Sequence, residues 1–324
     1  MIRIGLLGAS RISREAVIAP AARIGGVEIS CVAARDPARA KAFADEHGIP
    51  RVERDYAALL RSDAVDLVYN GLPPSEHMQW SIAALRAAKA VLCEKPFALN
   101  AGQARLMVEA AAQNGGILIE AFHYRFHPLF GRVLDVLRSG EIGAIRSLGG
   151  RFNVAIPFRR GELRYDSCLG GGAMMDLGCY PVHWVRTVMG EEPVVVSATR
   201  ELHPSGVDTA TSAELEFSGG VCARISCSMD ERLPNRLDAE LVVSGDRGRL
   251  TVVNPLAPHV GHELIVDSAA GTRRQVVNGH STYYHQLEHV VGVVNGERRQ
   301  ITGGPDAIAN MSVIDAVRDL SAAP

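Results

Sequence analysis

Three stretches of the chain carry residue types whose order suggests chemistry. The first is GLLGASRIS, residues 5 to 13, a glycine-bearing turn between a strand-like run and a helical one. Such a turn lets the backbone approach a pyrophosphate, which then lies at the positive end of the helix. In the register G-x-G-x-x-G/A, Gly8 takes the first place, Ser10 replaces the second glycine and Ser13 supplies a small third residue. Ala9, Arg11 and Ile12 complete the candidate cofactor turn, and a tight structural turn is the competing reading. The second stretch, VAARD, ends the next strand, where a dinucleotide fold meets the adenosine ribose. An acidic residue there accepts from the 2′-hydroxyl of NAD, whereas an arginine pairs with the 2′-phosphate of NADP. The chain offers Arg35 and then Asp36, and Asp36 before Pro37 also reads as the start of a helix. The preference is therefore NADP, with NAD the alternative. The third stretch is Glu94-Lys95-Pro96 after the apolar AVLC. Ligands of open α/β sheets bind at the carboxyl ends of the strands, which puts Lys95 where a nicotinamide ring would lie. A lone lysine after a strand is otherwise a solvated surface residue.

These residues need a scaffold, and the first 120 residues supply the pattern of a parallel α/β sheet. Strands are expected at Arg3–Leu7, Glu28–Ala33, Leu67–Asn70, Ala90–Glu94 and Ile117–Ala121. Helices are expected at Pro37–His47, Tyr56–Arg61, Glu76–Ala88 and Ala101–Gln113, the last capped by Asn100. After about residue 144 come short consecutive strands with hairpin-like links, from Arg146–Val154 to Glu263–Val266, which argue for a largely antiparallel sheet. Helices at Tyr283–Val294 and Asp306–Leu320 follow. The expected division is a dinucleotide-binding domain over 1–120 and a substrate and oligomerisation domain over 121–324, with the C-terminal helix a candidate to pack back on the first.

Composition narrows the class. The 324 residues are 47% hydrophobic and 22% charged, with 34 basic and 36 acidic side chains, so disorder, a fibrous repeat and a nucleic-acid footprint are not indicated. No apolar run approaches a membrane span, and the chain starts on a strand-like MIRIGLLG rather than a signal core, so the default location is the cytoplasm. Six cysteines show no C-x-x-C spacing and read as free thiols, with Cys31, Cys93 and Cys222 in apolar strands. No zinc-ligand spacing emerges among the 11 histidines, so no catalytic metal is expected.

Five ordered motifs extend the pattern along the chain: GLLGAS at the start, LPPSEH at 72 to 77, EKP at 94 to 96, EAFHYRFHP at 120 to 128 and GGGAMMDLGCYPVHW at 170 to 184. With them the chain resembles the glucose–fructose oxidoreductase/inositol dehydrogenase/rhizopine-catabolism (Gfo/Idh/MocA) family over nearly its whole length. VAARD and D-L-G-C-Y are most similar to its dihydrodiol dehydrogenase and D-xylose dehydrogenase branch. The resemblance implies a Rossmann-type parallel sheet followed by an α+β domain with a large, mainly antiparallel sheet. It implies a cis peptide before Pro96 and a homodimer or homotetramer. It also implies that Lys95, Asp176 and Tyr180 form the catalytic group of an NAD(P)-dependent oxidoreductase acting on a secondary alcohol or carbonyl of a sugar, polyol, keto-sugar or cyclic diol.

Alcohol oxidation needs hydride departure and a base within hydrogen-bond reach of the hydroxyl. Tyr180 is the candidate for that base in oxidation and acid in reduction. Bringing a phenol from about 10 to near neutrality corresponds to roughly 4 kcal/mol, part of which a nearby lysine cation supplies. Lys95 also polarises the carbonyl, and Asp176 orients its neighbours. The spacing of four puts Asp176 and Tyr180 on one helical face, but Pro181 suggests a helix that starts near Cys179 and leaves Asp176 in the preceding loop. Leu72, Pro73, His77, Glu94 and Arg125 are further candidates around the cofactor, and Tyr124 and His183 around the substrate. Phe158, Arg159, Arg160 and Arg164 form a basic loop, read as solvated in preference to an anion-binding rim. Two other classes stay open: an NAD-dependent glycoside hydrolase without net redox, and a non-catalytic cofactor-sensing regulator.

Overall fold

The computed structural model describes residues 1–234 and 237–322. The chain divides into two compact units, Met1–His123 with Tyr283–Ile308, and Tyr124–Thr282 with Ala309–Pro324.

In the first unit, β1 (Ile2–Leu7), β2 (Val27–Ala33), β3 (Leu67–Asn70), β4 (Ala90–Cys93) and β5 (Leu118–Glu120) form one sheet in the order β2-β1-β3-β4-β5. Every pairing is parallel, and an isolated bridge from Val52 to Val32 extends the β2 edge. The strand order reverses at β1 and β3, which opens a crevice at their carboxyl ends. Between the strands run α1, which begins as a π-helical turn at Arg14–Ile18 and continues through Ala19–Ala21, then α2 (Pro37–His47), α3 (Tyr56–Arg61), α4 (Pro74–Arg86) and α5 (Ala101–Gln113). Side chains start three of them: Asp36 accepts from Ala38 N at 2.9 Å, Asp55 from Ala58 N at 2.6 Å and Asn100 from Gln103 N at 2.9 Å. Helix α4 begins two residues before the expected start because Pro74 takes a first-turn place, where its missing N–H costs nothing.

The second unit opens with α6 (Pro128–Arg138) and then β6 (Ile145–Asn153). Helix α7 starts as a π-helical turn, Met174–Gly178, and continues through Cys179–Met189. Seven more strands follow: β7 (Val194–Leu202), β8 (Asp208–Phe217), β9 (Val221–Ser228), β10 (Asp238–Gly245), β11 (Gly248–Val253), β12 (Glu263–Ser268) and β13 (Gly271–Gln275). The sheet has the order β13-β12-β11-β10-β6-β9-β8-β7 and is antiparallel except where β6 pairs with β9. Two helices close the chain, α8 (Thr282–Val294) and α9 (Pro305–Leu320). Leu287 and Val290 of α8 join Ile4, Leu6, Val32, Leu92, Ala16 and Val17 in the core of the first unit. In the second unit Asn310 of α9 reaches the Cys179 carbonyl of α7 at 3.3 Å.

Both π-helical turns precede a proline, Pro20 in α1 and Pro181 in α7. A proline ring meets the carbonyl four residues back, and a widened turn there relieves the clash. Asp176 therefore stands inside the helix rather than in a loop, which corrects the sequence expectation. The sequence reading also lacks α6 and β13, and GTRRQ of β13 has no apolar residue to mark it. Cys222 lies on β9 but faces outward and is exposed, unlike buried Cys31 and Cys93. Among the described residues, no helix is long and apolar enough to cross a membrane.

Candidate active site

The glycine turn leaves β1 with Gly8 in the left-handed region, at φ +88°. A Cβ at Gly8 would stand 2.9 Å from Leu72 Cδ2, and the positive φ itself favours glycine where the loops after β1 and β3 meet. Gly8 N donates to Ala33 O at 2.8 Å, and the Ser10 and Ser13 hydroxyls pair at 2.6 Å across the start of α1. Ala9 is buried, Arg11 is exposed and Ile12 packs against the core. Leu72 and Pro73 lie beside the turn at the start of α4. Asp36 is committed to capping α2, while Arg35 is exposed at the end of β2. One residue escaped the sequence reading: Arg39 donates from Nη2 to Ala9 O at 2.9 Å, which places a guanidinium across the glycine turn. Its spacing of four from Arg35 is the signal that could have revealed it. A close-approach glycine, a helix N-terminus and two arginines at the β2 end fit a dinucleotide with its phosphates.

The Lys95 turn is held from beneath by buried groups. Glu94 N donates to Asn70 O at 3.0 Å, Lys95 N to Glu94 Oε2 at 3.2 Å and Phe97 N to Glu120 Oε1 at 3.1 Å. Tyr69 donates its hydroxyl to Glu94 Oε1 at 2.8 Å, and burial with the adjacent Glu94 charge pushes that phenol well above its ordinary pKa. The Lys95–Pro96 peptide is cis. His77 is fully buried, with Nδ1 3.0 Å from Pro96 O and Nε2 2.8 Å from Leu72 O. Burial lowers its pKa. The ring thus ties the loop after β3 to the loop after β4, so His77 and Glu94 are struts around Lys95. Tyr69 and Glu120 belong to the same scaffold, and nothing in their strand-like surroundings distinguishes them from core residues.

In the second unit, Asp176 Oδ2 accepts from Arg164 Nε at 2.6 Å, and Arg164 Nη1 also reaches Glu162 Oε1 at 3.1 Å. Arg164 is therefore ion-paired and not a solvated member of the 156–167 loop, whereas Arg159 and Arg160 are exposed. Tyr180, one turn beyond Asp176, is 4% exposed. Its ring meets Phe152 edge-on at 5.6 Å and Tyr124 at 6.1 Å. Tyr124 and His183 are both buried, and the Tyr124 hydroxyl lies 2.5 Å from His183 Nδ1, so these two candidates are joined to each other behind Tyr180. Arg125 stacks over Phe130 at 5.4 Å. No group of three or more His, Cys, Asp or Glu suited to a metal occurs among the described residues.

A phosphate-fitting glycine turn at the reversal point of a parallel sheet, with a lysine at the carboxyl end of β4, defines a nicotinamide-dinucleotide oxidoreductase. The chain belongs to the Gfo/Idh/MocA family: residues 2–122 match the oxidoreductase family, NAD-binding Rossmann fold, and residues 130–251 match the GFO/IDH/MocA C-terminal domain. It is 39% identical to D-xylose 1-dehydrogenase (NADP(+)) 2 of Haloferax volcanii over 70% of this chain and 69% of that one. It is 34% identical to trans-1,2-dihydrobenzene-1,2-diol dehydrogenase of Xenopus laevis, over 76% of this chain and 74% of that one. Its fold superposes with a TM-score of 0.90 on the 3-ketoreductase KijD10 of Actinomadura kijaniata, crystallised with NADP and TDP-benzene. That likeness covers 98% of this chain and 97% of the other at 28% identity.

Proposed function

We propose that the protein is an NADP-preferring enzyme that interconverts a secondary alcohol and a carbonyl on a sugar, polyol, keto-sugar or cyclic diol, with Lys95, Asp176 and Tyr180 as its catalytic residues. The observation that carries this reading is the clamped turn at the end of β4. His77 and Glu120 hold its backbone, tying the segment after Lys95 to the Leu72–Pro73 loop and to β5 at the carboxyl ends of the strands. The relatives support the substrate class, since two of them are named for oxidising a pentose and a dihydrodiol.

Bound nicotinamide would supply or accept the hydride. Lys95 donates to the substrate oxygen, polarising a carbonyl or stabilising a developing alkoxide. Tyr180 hands its phenolic proton to that oxygen in reduction and takes it back in oxidation. Asp176 orients these donors and a neighbouring substrate hydroxyl. Gly8, Ala9, Ser10, Arg11 and Ile12 cradle the pyrophosphate, and Leu72 and Pro73 support the nicotinamide ribose. Arg35 and Arg39 pair with the 2′-phosphate, because Asp36 is spent on its helix.

Residues 1–120 bind the dinucleotide, and 121–324 bind substrate and a second copy of the chain, as a homodimer or homotetramer in the cytoplasm. Light scattering on the purified protein reads the assembly. Absorbance at the nicotinamide band, with D-xylose and a cyclic dihydrodiol and with NADP or NAD, tests the reaction. Release of a leaving group from a chromogenic glycoside with no change at that band would replace this reading with a hydrolase, and a lower KM for NAD than for NADP would remove the cofactor preference.

A further inference from the structure

We infer that Arg164 is a positioning residue for the reaction: it fixes the carboxylate of Asp176 and thereby fastens the 156–167 loop to the helix that carries Tyr180. The inference rests on the proposed role of Asp176 and adds to it a group that holds that carboxylate.

Arg164 is fixed at both ends. Its backbone carbonyl accepts from Gly172 N at 2.9 Å, while Asp166 O accepts from Gly171 N at 2.9 Å, so the loop folds back on the glycine run that leads into α7. Gly172 has φ +117°, and a Cβ there would stand 2.2 Å from Asp208 Oδ1. Asp208 in turn accepts from Met174 N at 2.7 Å and from the Thr211 hydroxyl at 2.6 Å. The start of α7 is thereby anchored to β8, and the Arg164 backbone is anchored to the start of α7. Its guanidinium spans the remaining gap to Asp176. At the loop's other end the Tyr165 hydroxyl donates to Ile156 O at 2.7 Å, and Phe158 packs on Tyr165 at 5.2 Å and His203 at 4.8 Å.

This pair differs from an ordinary surface ion pair. The two side chains are 33% and 19% exposed, and the contact is a short charge-assisted hydrogen bond from Nε. The pairing fixes the direction of that carboxylate oxygen. Angular definition of that kind matters because misplacing a reacting group by about 1 Å costs roughly 10²-fold in rate. Arg164 touches neither hydride nor reacting carbonyl in this scheme; its effect passes through Asp176.

The experiment compares Arg164→Gln, Arg164→Lys, Asp176→Asn and the Asp176→Asn/Arg164→Gln double variant in the full chain, reading kcat, substrate KM, NADPH affinity by fluorescence and Tm. Arg159→Ala on the same loop is the control. Arg164→Gln is expected to lower kcat roughly 10- to 100-fold with NADPH affinity retained. Arg164→Lys, which keeps the charge but not the guanidinium fork, falls between it and the parent. The double variant loses little beyond Asp176→Asn alone, as two members of one unit should. A kcat within about 2-fold of the parent in Arg164→Gln, with Asp176→Asn strongly impaired, overturns the inference and spares the role of Asp176. Multiplying losses in the double variant overturn it as well. If Arg164→Gln does not fold, a parent-like kcat in Arg164→Lys has the same force, because that substitution also removes the Nε contact. Near-parental turnover in Asp176→Asn removes the parent reading, and the inference with it.

Discussion

The turn that carries Lys95 and the turn that carries Asp176 and Tyr180 are held by different means. Beneath Lys95, the backbone is pinned by buried partners from β3, β5 and α4: Asn70, Glu120 and His77. Around Asp176, the helix itself widens, and an arginine from an irregular loop, 33% exposed, supplies a partner. The first device trades conformational freedom for burial, so its parts are coupled to the stability of the unit. The second is closer to solvent and depends on charge, so its parts are coupled to the position of one carboxylate. The difference makes the Lys95 turn the part fixed by burial and leaves the Asp176 carboxylate dependent on the 156–167 loop that supplies Arg164.

The largest expected effects come from one proposed catalytic group on each turn, Lys95 and Tyr180. Lys95→Ala and Tyr180→Phe should each lower turnover about 10²- to 10⁴-fold, the range for removing a positioned acid or base. Tm should stay near the parent for Tyr180→Phe, whose ring still fills its place against Phe152. Steady-state rates in both directions check this. Near-normal turnover in both variants breaks the proposed mechanism.

The contrast between the two turns is sharpened by His77→Ala and Gly172→Ala. Removing the His77 ring leaves the Leu72 and Pro96 carbonyls facing a cavity, at a cost of about 2–4 kcal/mol in stability. Chemical denaturation of the two variants and the parent measures it, and a loss below about 1 kcal/mol would show that the Lys95 turn does not depend on its buried clamp. Gly172→Ala meets Asp208 and a positive φ, so it should cost about 1–3 kcal/mol while lowering kcat as well. Loss of stability with kcat intact would separate the glycine turn from the alignment of Asp176.

Much of the first unit was legible because periodicity, capping residues and strand ends all pointed the same way. Helix α2 over Pro37–His47 and α5 over Ala101–Gln113 coincide with their expected spans, since Pro37 and Asn100 mark their starts chemically. The division of labour within those motifs was not legible. His77 lies in LPPSEH and Glu120 begins EAFHYRFHP, yet whether such a residue faces a ligand or a neighbouring carbonyl depends on which loops the sheet brings together. The 156–167 loop was least legible: its three arginines stand outside any helical pattern and look alike in one dimension. The fold-back onto Gly172 and the pairing with Asp176 single out Arg164. The π-helical turn at Met174–Gly178 escaped because Pro181 reads as a helix start, whereas a widened turn lets the helix begin earlier.

The smallest expected effect tests whether the clamp beneath Lys95 is a neutral ring. Burial holds the His77 pKa below the 6.5 of an unperturbed histidine, although its two carbonyl neighbours pull the other way. The unfolded chain therefore takes up the proton first as pH falls. Stability that is present above pH 6.5 is lost as pH drops through the unfolded value toward the lowered folded one. The slope from one such group is at most about 1.4 kcal/mol per pH unit. In His77→Gln this contribution vanishes, so the stability gap between parent and variant should narrow between about pH 7.5 and pH 5.5. Parallel curves would mean that the ring binds its proton equally well folded and unfolded, the two carbonyls offsetting the effect of burial.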